Sequence, residues 1–323
     1  MVTIIDVARE AGVSPATVSR ALNGAKVDPE LAERARAAAE RLGYRANAMA
    51  RNLRRQKTDV LALIISDVAN PVFTAIARGV EDVAQRAGYS VLLCNADEDP
   101  DKEARYLEVA IAEQVAGIVI SPHAAATDVE RAIAAGIPLV VVDRPLDAPV
   151  DSVLVRSESG ARAATEHLLA EGWNRPACLP GPADAATALD RLAGYRAAVG
   201  GDGVHAFAPF SIEGGAAAAA AVLDSHDPDA LLVGNAQMTL GVLEELARRH
   251  LVVGRDLGLV TFDDAPWARF VDPAITVVGQ PAYEIGARAA ELLLGRVAGA
   301  AGKPETVEFG TELVVRASSV RRR

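Results

Sequence analysis

"TIIDVAREAGVSPATVSRALNG", residues 3–24, decides how the chain begins. Thr3 is placed to cap a helix, and Asp6 to reach back to the free N–H groups, the pattern of a capping box. Gly12 suits the left-handed position that ends a helix. A second helix restarts at once, with Ser14 as N-cap, Pro15 in the first helical position and Asn23-Gly24 as the stop. Two short helices joined by a tight turn that holds a glycine make a helix-turn-helix. Val7, Ala8, Ala11, Val18 and Leu22 are expected to form its seam, with the small Ala8 allowing a close crossing. A third helix is expected in "DPELAERARAAAERLGY", residues 28–44. Asp28 caps it, Pro29 opens it, and Leu31, Ala35, Ala38 and Leu42 follow helical spacing to close a three-helix core.

Charge divides the chain in the same place. Residues 1–58 hold 11 Lys+Arg against 6 Asp+Glu, while the rest holds 22 against 37, within a net charge of −10. Screening confines charge effects to about 10 Å, so the local excess matters more than the total. A basic head on an acidic body implies a polyanionic partner for the head alone. The length of 323 residues and the 50% hydrophobic content allow two or three domains. The start "MVTIIDVARE" has acids and no long apolar run, so it does not read as a signal peptide. No segment is long and apolar enough to span a membrane. Cys94 and Cys178 stand far apart in no metal-like spacing, which fits buried thiols in a reducing compartment. A cytoplasmic protein with no membrane partner is expected.

The polar face of the second helix carries Pro15, Ala16, Thr17, Ser19, Arg20 and Asn23. In DNA-binding units of this type such a helix enters the major groove. Arg20 suits a bidentate contact to guanine, worth roughly 1–3 kcal/mol of discrimination. Ala16 and the Thr17 methyl suit a thymine methyl. Ser14, Ser19 and Asn23 suit phosphates, which position the unit without reading sequence.

The stretch from Thr3 to Gly24 resembles the headpiece of the lactose-repressor (LacI/GalR) family of bacterial transcription regulators. The likeness continues through "YRANAMARNL" and the body. In that family the segment matching Asn47 to Arg55 is a hinge helix, formed when two subunits meet on DNA. The residues agree with this. Asn47 is a plausible cap, and Ala48, Met49, Ala50 and Leu53 make an apolar stripe. About nine residues cannot hold a helix in water without outside contacts. Leu53 is placed to wedge into a minor-groove base step, and Arg51, Arg54, Arg55 and Lys57 to face phosphates. The residues expected to touch DNA are therefore Thr3, Ser14, Pro15, Ala16, Thr17, Ser19, Arg20 and Asn23, with Ala50, Leu53 and Arg54 from the hinge.

From Val60 onward, short apolar runs alternate with alanine-rich amphipathic stretches. Nine strand candidates are visible: "VLALIIS", "YSVLLCNA", "VAGIVIS", "PLVVVD", "SVLVR", "RPACLPG", "ALLVGN", "LGLVTFDD" and "ITVVGQ". Strand–helix alternation means parallel sheets covered on both faces, and nine strands suggest two subdomains. The expected fold is an all-α helix-turn-helix headpiece followed by an α/β body. The resemblance implies that the body holds two Rossmann-like parallel-sheet subdomains of the periplasmic-binding-protein type. The expected limits are 1–46 for the headpiece, 47–59 for the hinge, 60–157 with 279–308 for one lobe, and 158–278 with 309–323 for the other.

Ligands of open parallel sheets sit beyond the carboxyl ends of the strands. Polar residues at those ends are Ser66, Asp67, Asn95, Asp143, Arg156, Asn235, Asp263 and Asp264. The resemblance implies effector contacts from Ser66, Phe73, Asp143, Arg191, Asn235, Asp263 and Gln280. Carboxylates accept from vicinal hydroxyls, Arg191 offers a planar fork, and Phe73 or Trp267 can cover a ring face. That chemistry suits a small carbohydrate. Three positions depart from the family pattern. Ala236 replaces a frequent Asp, Trp173 a frequent His, and Arg156 an acid or Asn; Arg156 would favour a sugar acid or a phosphorylated sugar.

No catalytic constellation competes with this. The five histidines show no ligand spacing, no phosphate loop or dinucleotide fingerprint is present, and no nucleophile elbow is visible. No enzyme activity, metal or cofactor is expected. The remaining rival is a periplasmic-type transport protein, which would share the body but not need the headpiece. The expected function is a homodimeric regulator, a repressor, that binds a pseudo-palindromic double-stranded DNA operator under control of a small ligand. The end "VRASSVRRR" carries no heptads, which favours a dimer over a tail-assembled tetramer.

Overall fold

The computed structural model describes residues 2–22, 26–44 and 58–321. The expectations for Asn23, Ala50, Leu53 and Arg54, and for a hinge helix over 47–55, lie outside these residues. The chain divides into two units, Met1–Thr58 and Asp59–Arg323.

The first unit contains helices α1 (Ile4–Ala11), α2 (Pro15–Leu22) and α3 (Pro29–Arg41). Their ends follow the local chemistry. The Asp6 N–H donates to the Thr3 hydroxyl, and the Asp6 carboxylate accepts from the Thr3 N–H at 2.9 Å. Gly12 ends α1 at φ 64°. The Thr17 N–H donates to Ser14 Oγ at 3.1 Å, and Asp28 accepts from the N–H groups of Glu30 and Leu31. Arg34 braces the turn by donating to the Ala11 carbonyl at 2.7 Å. The core consists of Val7, Ala8, Ala11, Val18, Ala21, Ala32, Ala35, Ala38 and Ala39. Leu31 differs from expectation: it is only half-buried, and Ala32 takes the inward place. An alanine face lets α3 lie closer to its neighbours than a leucine stripe would.

The second unit alternates strands and helices. Its first part contains β1 (Val60–Ile65), α4 (Pro71–Arg86), β2 (Ser90–Asn95), α5 (Pro100–Ala112), β3 (Gly117–Ile120), α6 (Glu130–Ala134), β4 (Leu139–Asp143) and β5 (Asp151–Val155). Then come α7 (Ser157–Ala170), β6 (Pro176–Leu179), α8 (Ala186–Val199), β7 (Val204–His205), α9 (Ile212–Ser225), β8 (Ala230–Val233), α10 (Ala236–Arg248), β9 (Gly258–Phe262) and β10 (Thr276–Gly279). The unit closes with α11 (Ala282–Val297), β11 (Thr306–Phe309) and β12 (Glu312–Val314).

The strands form two six-stranded sheets, ordered β11-β5-β4-β3-β1-β2 and β12-β10-β9-β8-β6-β7. Pairing is parallel except between β10 and β12. The two orders match position for position, so the lobes repeat one architecture although the sequence shows no clear repeat. The chain passes between the sheets three times: at Arg156, at Gln280-Pro281 and at Gly310-Thr311. All nine expected strands are present, and three more accompany them. β7 has two residues, β12 has three, and β11 is a partly exposed edge, so none carries an apolar run of its own. Among the described residues, no helix is long and apolar enough to cross a membrane.

With only 4% aromatic residues, close helix crossings depend on glycine. A Cβ at Gly286 in α11 would lie 2.0 Å from the Ile76 carbonyl oxygen of α4, and one at Gly79 in α4 would lie 2.1 Å from that of Tyr283. Helices α9 and α10 cross the same way at Gly215 and Gly241. Side chains have no room there, so the backbones themselves pack. Gly286→Ala is expected to lower the stability of the chain by about 1–3 kcal/mol in urea unfolding, with an unchanged result refuting the close contact.

Asp151 ties three segments of the first lobe. Its buried carboxylate accepts from Arg296 Nε and Nη2 at 2.7 and 2.8 Å and from the Glu305 N–H at 2.7 Å. The Arg296 hydrogen bonds hold its pKa below the usual carboxylate range. Asp151→Asn should cost roughly 1.5–3 kcal/mol at neutral pH. A depressed folded pKa gives stability that is present above the unfolded pKa and lost as pH falls through the folded one. The gap between wild type and variant should therefore close below about pH 4, as read by denaturation at several pH values.

Candidate nucleic-acid interface and candidate ligand cavity

On the first unit, α2 turns Val18 and Ala21 inward and presents Pro15, Ala16 and Arg20 to solvent. Thr17 and Ser19 are half-buried at the flank of that face. The hydroxyls of Ser14 and Thr17 lie 2.8 Å apart, and the Thr3 hydroxyl donates to Asp6 at 2.7 Å. Thr3, Ser14 and Thr17 thus shape the helix ends, while Arg20 stands exposed on the outer face of α2.

In the second unit a polar cavity lies between the two sheets, lined by residues of both. It sits beyond the carboxyl ends of the strands, where parallel sheets place ligands. Asp143 ends β4, and Asp263 directly follows β9, the strand in the matching place of the other sheet. Both adopt left-handed backbone, at φ 67° and 75°. Such conformations cost of order 1–3 kcal/mol each and are kept where geometry demands them. Asn70 and Asn235 cap α4 and α10 through their side-chain oxygens, accepting from Val72 at 3.0 Å and Met238 at 2.8 Å. That leaves their amide nitrogens for the cavity they line. Gln280 Nε2 donates to Asp263 Oδ1 at 2.6 Å, which fixes both side chains.

Two arginines line the cavity, in opposite states. Arg144 is paired: its Nη1 and Nη2 donate to Glu98 at 2.8 and 2.5 Å. Arg191 is 4% exposed and makes no hydrogen bond to any described residue, and its Nε is fully buried without a partner. Its guanidinium lies against the Phe262 ring at 4.4 Å and the Phe210 ring at 5.7 Å. Burial pushes its pKa down, opposed by the charges of Asp263 and Asp143. Burial likewise pushes the carboxyls of Asp143 and Asp263 up, opposed chiefly by Arg144 and Arg191. The result is a desolvated fork that lines the cavity under the influence of two acids. Gln237 Nε2 donates to the Ala69 carbonyl at 3.0 Å, a bond from one lobe to the other.

Of the residues expected at this site, Phe73, Asp143, Arg191, Asn235, Asp263 and Gln280 line the cavity. Ser66 lies behind the wall, hydrogen-bonded to Ser121 at 3.0 Å, and Asp67 stands in front. Trp267 packs against the core of the second lobe, and Phe210 supplies the second aromatic wall. Arg156 lies outside, so its suggestion of an acidic ligand does not apply to this cavity. Trp173 is a core residue, its Nε1 donating to the Ser319 carbonyl at 2.7 Å. The Ala236 N–H donates to Asp263, so this position contributes backbone where a carboxylate was missed. Glu98, Arg144, Thr187 and Phe210 also line the cavity and were not anticipated. Arg144 directly follows a strand end and could have been found; the others sit in loops or on a helix face without local signal.

A helix-turn-helix unit and, in the same chain, a two-sheet body with a polar cavity define a class: a DNA-binding regulator answerable to a small ligand. The description "Bacterial regulatory proteins, lacI family" matches residues 3–47, and "Periplasmic binding protein-like domain" matches residues 165–319. The ribose operon repressor of Halalkalibacterium halodurans is 33% identical over 321 residues, 98% of this chain and 96% of that protein. The lac repressor dimer bound to operator and the anti-inducer ONPF is 27% identical with a TM-score of 0.86, covering 99% of each chain. A LacI family regulator from Enterococcus faecalis V583 with bound ribose is 26% identical with a TM-score of 0.75, covering 82% of this chain and 100% of that one. The chain belongs to the lacI family of bacterial regulatory proteins. It is a transcriptional regulator, not an enzyme, and the transport alternative falls because full-length relatives are repressors.

Replacing a buried unpaired ion by an apolar group of similar length removes a desolvation cost. Arg191→Met should therefore leave the ligand-free chain as stable as wild type, or more stable by about 1 kcal/mol or more, in thermal unfolding. A clear loss would show that Arg191 holds the fold together.

Proposed function

We propose that this chain is a homodimeric repressor whose hold on a pseudo-palindromic operator is set by a neutral sugar of pentose size in the inter-sheet cavity. The proposed division is a DNA-binding headpiece over 1–46, a hinge over 47–59, and two effector lobes of 60–157 with 279–308 and 158–278 with 309–323. Thr3, Ser14, Pro15, Ala16, Thr17, Ser19, Arg20 and Asn23, with Ala50, Leu53 and Arg54, form the DNA-contacting set. Phe73, Asp143, Arg191, Asn235, Asp263 and Gln280 form the ligand set, with Ser66 as support.

One observation supports the ligand assignment: Arg191, buried and without a hydrogen bond to any described residue, lines the cavity together with Asp143, Asp263 and Phe210. Neighbouring hydroxyls of a sugar would accept from the guanidinium and donate to the acids, while Phe73 and Phe210 cover the ring. Ribose is the first candidate, because the ribose operon repressor and a ribose-bound regulator are among the relatives. A second copy has surface to cover. Leu92 and Leu93 on edge strand β2 are 40% and 45% exposed, and Phe270 is 86% exposed. DNA as the partner and buried free thiols at Cys94 and Cys178 both suit the cytoplasm. Ligand binding and DNA binding are linked, so each changes the other's affinity by the same factor.

The test is selection of duplexes from a random pool by the full chain, followed by gel shift with and without D-ribose. The expected result is an inverted repeat whose affinity shifts with ribose. Arg20→Ala should lose about 1–3 kcal/mol of discrimination at one base pair of each half-site. Absence of an inverted repeat, or uniform weakening on all sequences, would contradict the assignment.

A further inference from the structure

Glu98 and Arg144 both line the cavity and are paired with each other. Arg144 is 3% exposed, and both of its terminal nitrogens are committed to Glu98. Nη1 also lies 3.3 Å from the His123 carbonyl oxygen, and Nε sits 3.6 Å from Asp143 Oδ2. A guanidinium fork facing a binding cavity is the usual receptor for a carboxylate or phosphate. Here the protein supplies that carboxylate itself.

The loop that delivers Glu98 is built for the purpose. Asp97 and Glu98 are both in left-handed backbone, at φ 53° and 55°. The Glu98 N–H donates to the Ser66 carbonyl at 2.9 Å, and Asp99 then caps α5 by accepting from the N–H groups of Asp101 and Lys102. Two successive residues are thus held in a conformation that side chains disfavour, and the carboxylate arrives on Arg144. Asp67 lines the same end of the cavity, its carboxyl pushed up by burial and by the charges of Asp97 and Glu98. An anionic group on a ligand would meet Glu98 and Asp67 there and find no free cation. Among the described residues, Arg191 is the other cation lining the cavity, and the charges of Asp263 and Asp143 already act on it.

We infer that Glu98 is a specificity-determining residue: by occupying Arg144 it makes the cavity select neutral sugars over their phosphorylated or oxidised forms. The inference rests on the cavity being the ligand site. Removing the carboxylate should turn Arg144 into an anion receptor, because a buried guanidinium without its partner favours any negative group that can reach it.

Calorimetry on the full chain with D-ribose, D-ribose 5-phosphate and D-ribonate tests this. Wild type should bind ribose at least about tenfold tighter than either anion. Glu98→Gln, which keeps the shape, and Glu98→Ala, which opens the space, should each move that ratio about tenfold or more toward the anions. Glu98→Asp, which keeps the charge, should stay near wild type. A purely structural role would weaken all three ligands together and leave the ratio fixed, and that result overturns the inference. Wild type binding an anion as tightly as ribose overturns it without any variant. Absence of binding by all neutral sugars tried, ribose among them, removes the cavity assignment itself, an outcome recognisable before Glu98 is changed.

Discussion

The body depends on one electrostatic constraint, the guanidinium of Arg191, taken out of water and given no hydrogen bond by any described residue. Desolvating such an ion costs several kcal/mol even after relaxation. The flanking rings of Phe210 and Phe262 and the nearby charges of Asp143 and Asp263 return part of this. Those two acids belong to different sheets and are themselves disfavoured by burial. The neighbouring charges offset part of the cost of burying Arg191 without repaying it. The separation of the sheets and the contents of the cavity are therefore parts of one energy balance.

The rest of the second unit serves to hold this cluster. Equivalent strands deliver Asp143 and Asp263 in the same unusual backbone conformation. Helices α4 and α11, and α9 and α10, are locked by backbone contact at glycines, which leaves little slack within either pair. The lobes are thus internally stiff, and a hydrogen bond from Gln237 to Ala69 links one to the other. Stiff lobes concentrate any change of shape at their boundary.

Much of this was legible in the sequence, for identifiable reasons. Thr3, Gly12, Ser14 and Asp28 announce their helix ends by chemistry that acts over three or four residues, so local reading suffices. Asp143, Asn235 and Asp263 follow from a general rule about strand ends. Leu31 was misplaced because a run of alanines has no strong periodic signal to say which face turns inward. Phe210 follows a two-residue strand in an irregular loop, and Glu98 reaches Arg144 across 46 positions of chain. Pairings of that kind are set by topology and leave no mark on either neighbourhood.

The three passages of the chain between the lobes constrain how the molecule can work. Three covalent straps, at Arg156, at Gln280-Pro281 and at Gly310-Thr311, join the same two bodies along one side. Bodies joined at a single point can swing, twist and drift apart, whereas three parallel tethers forbid translation and most twisting. Of the rigid-body motions, a swing about the tethered edge strains three such straps least, and sliding strains them most.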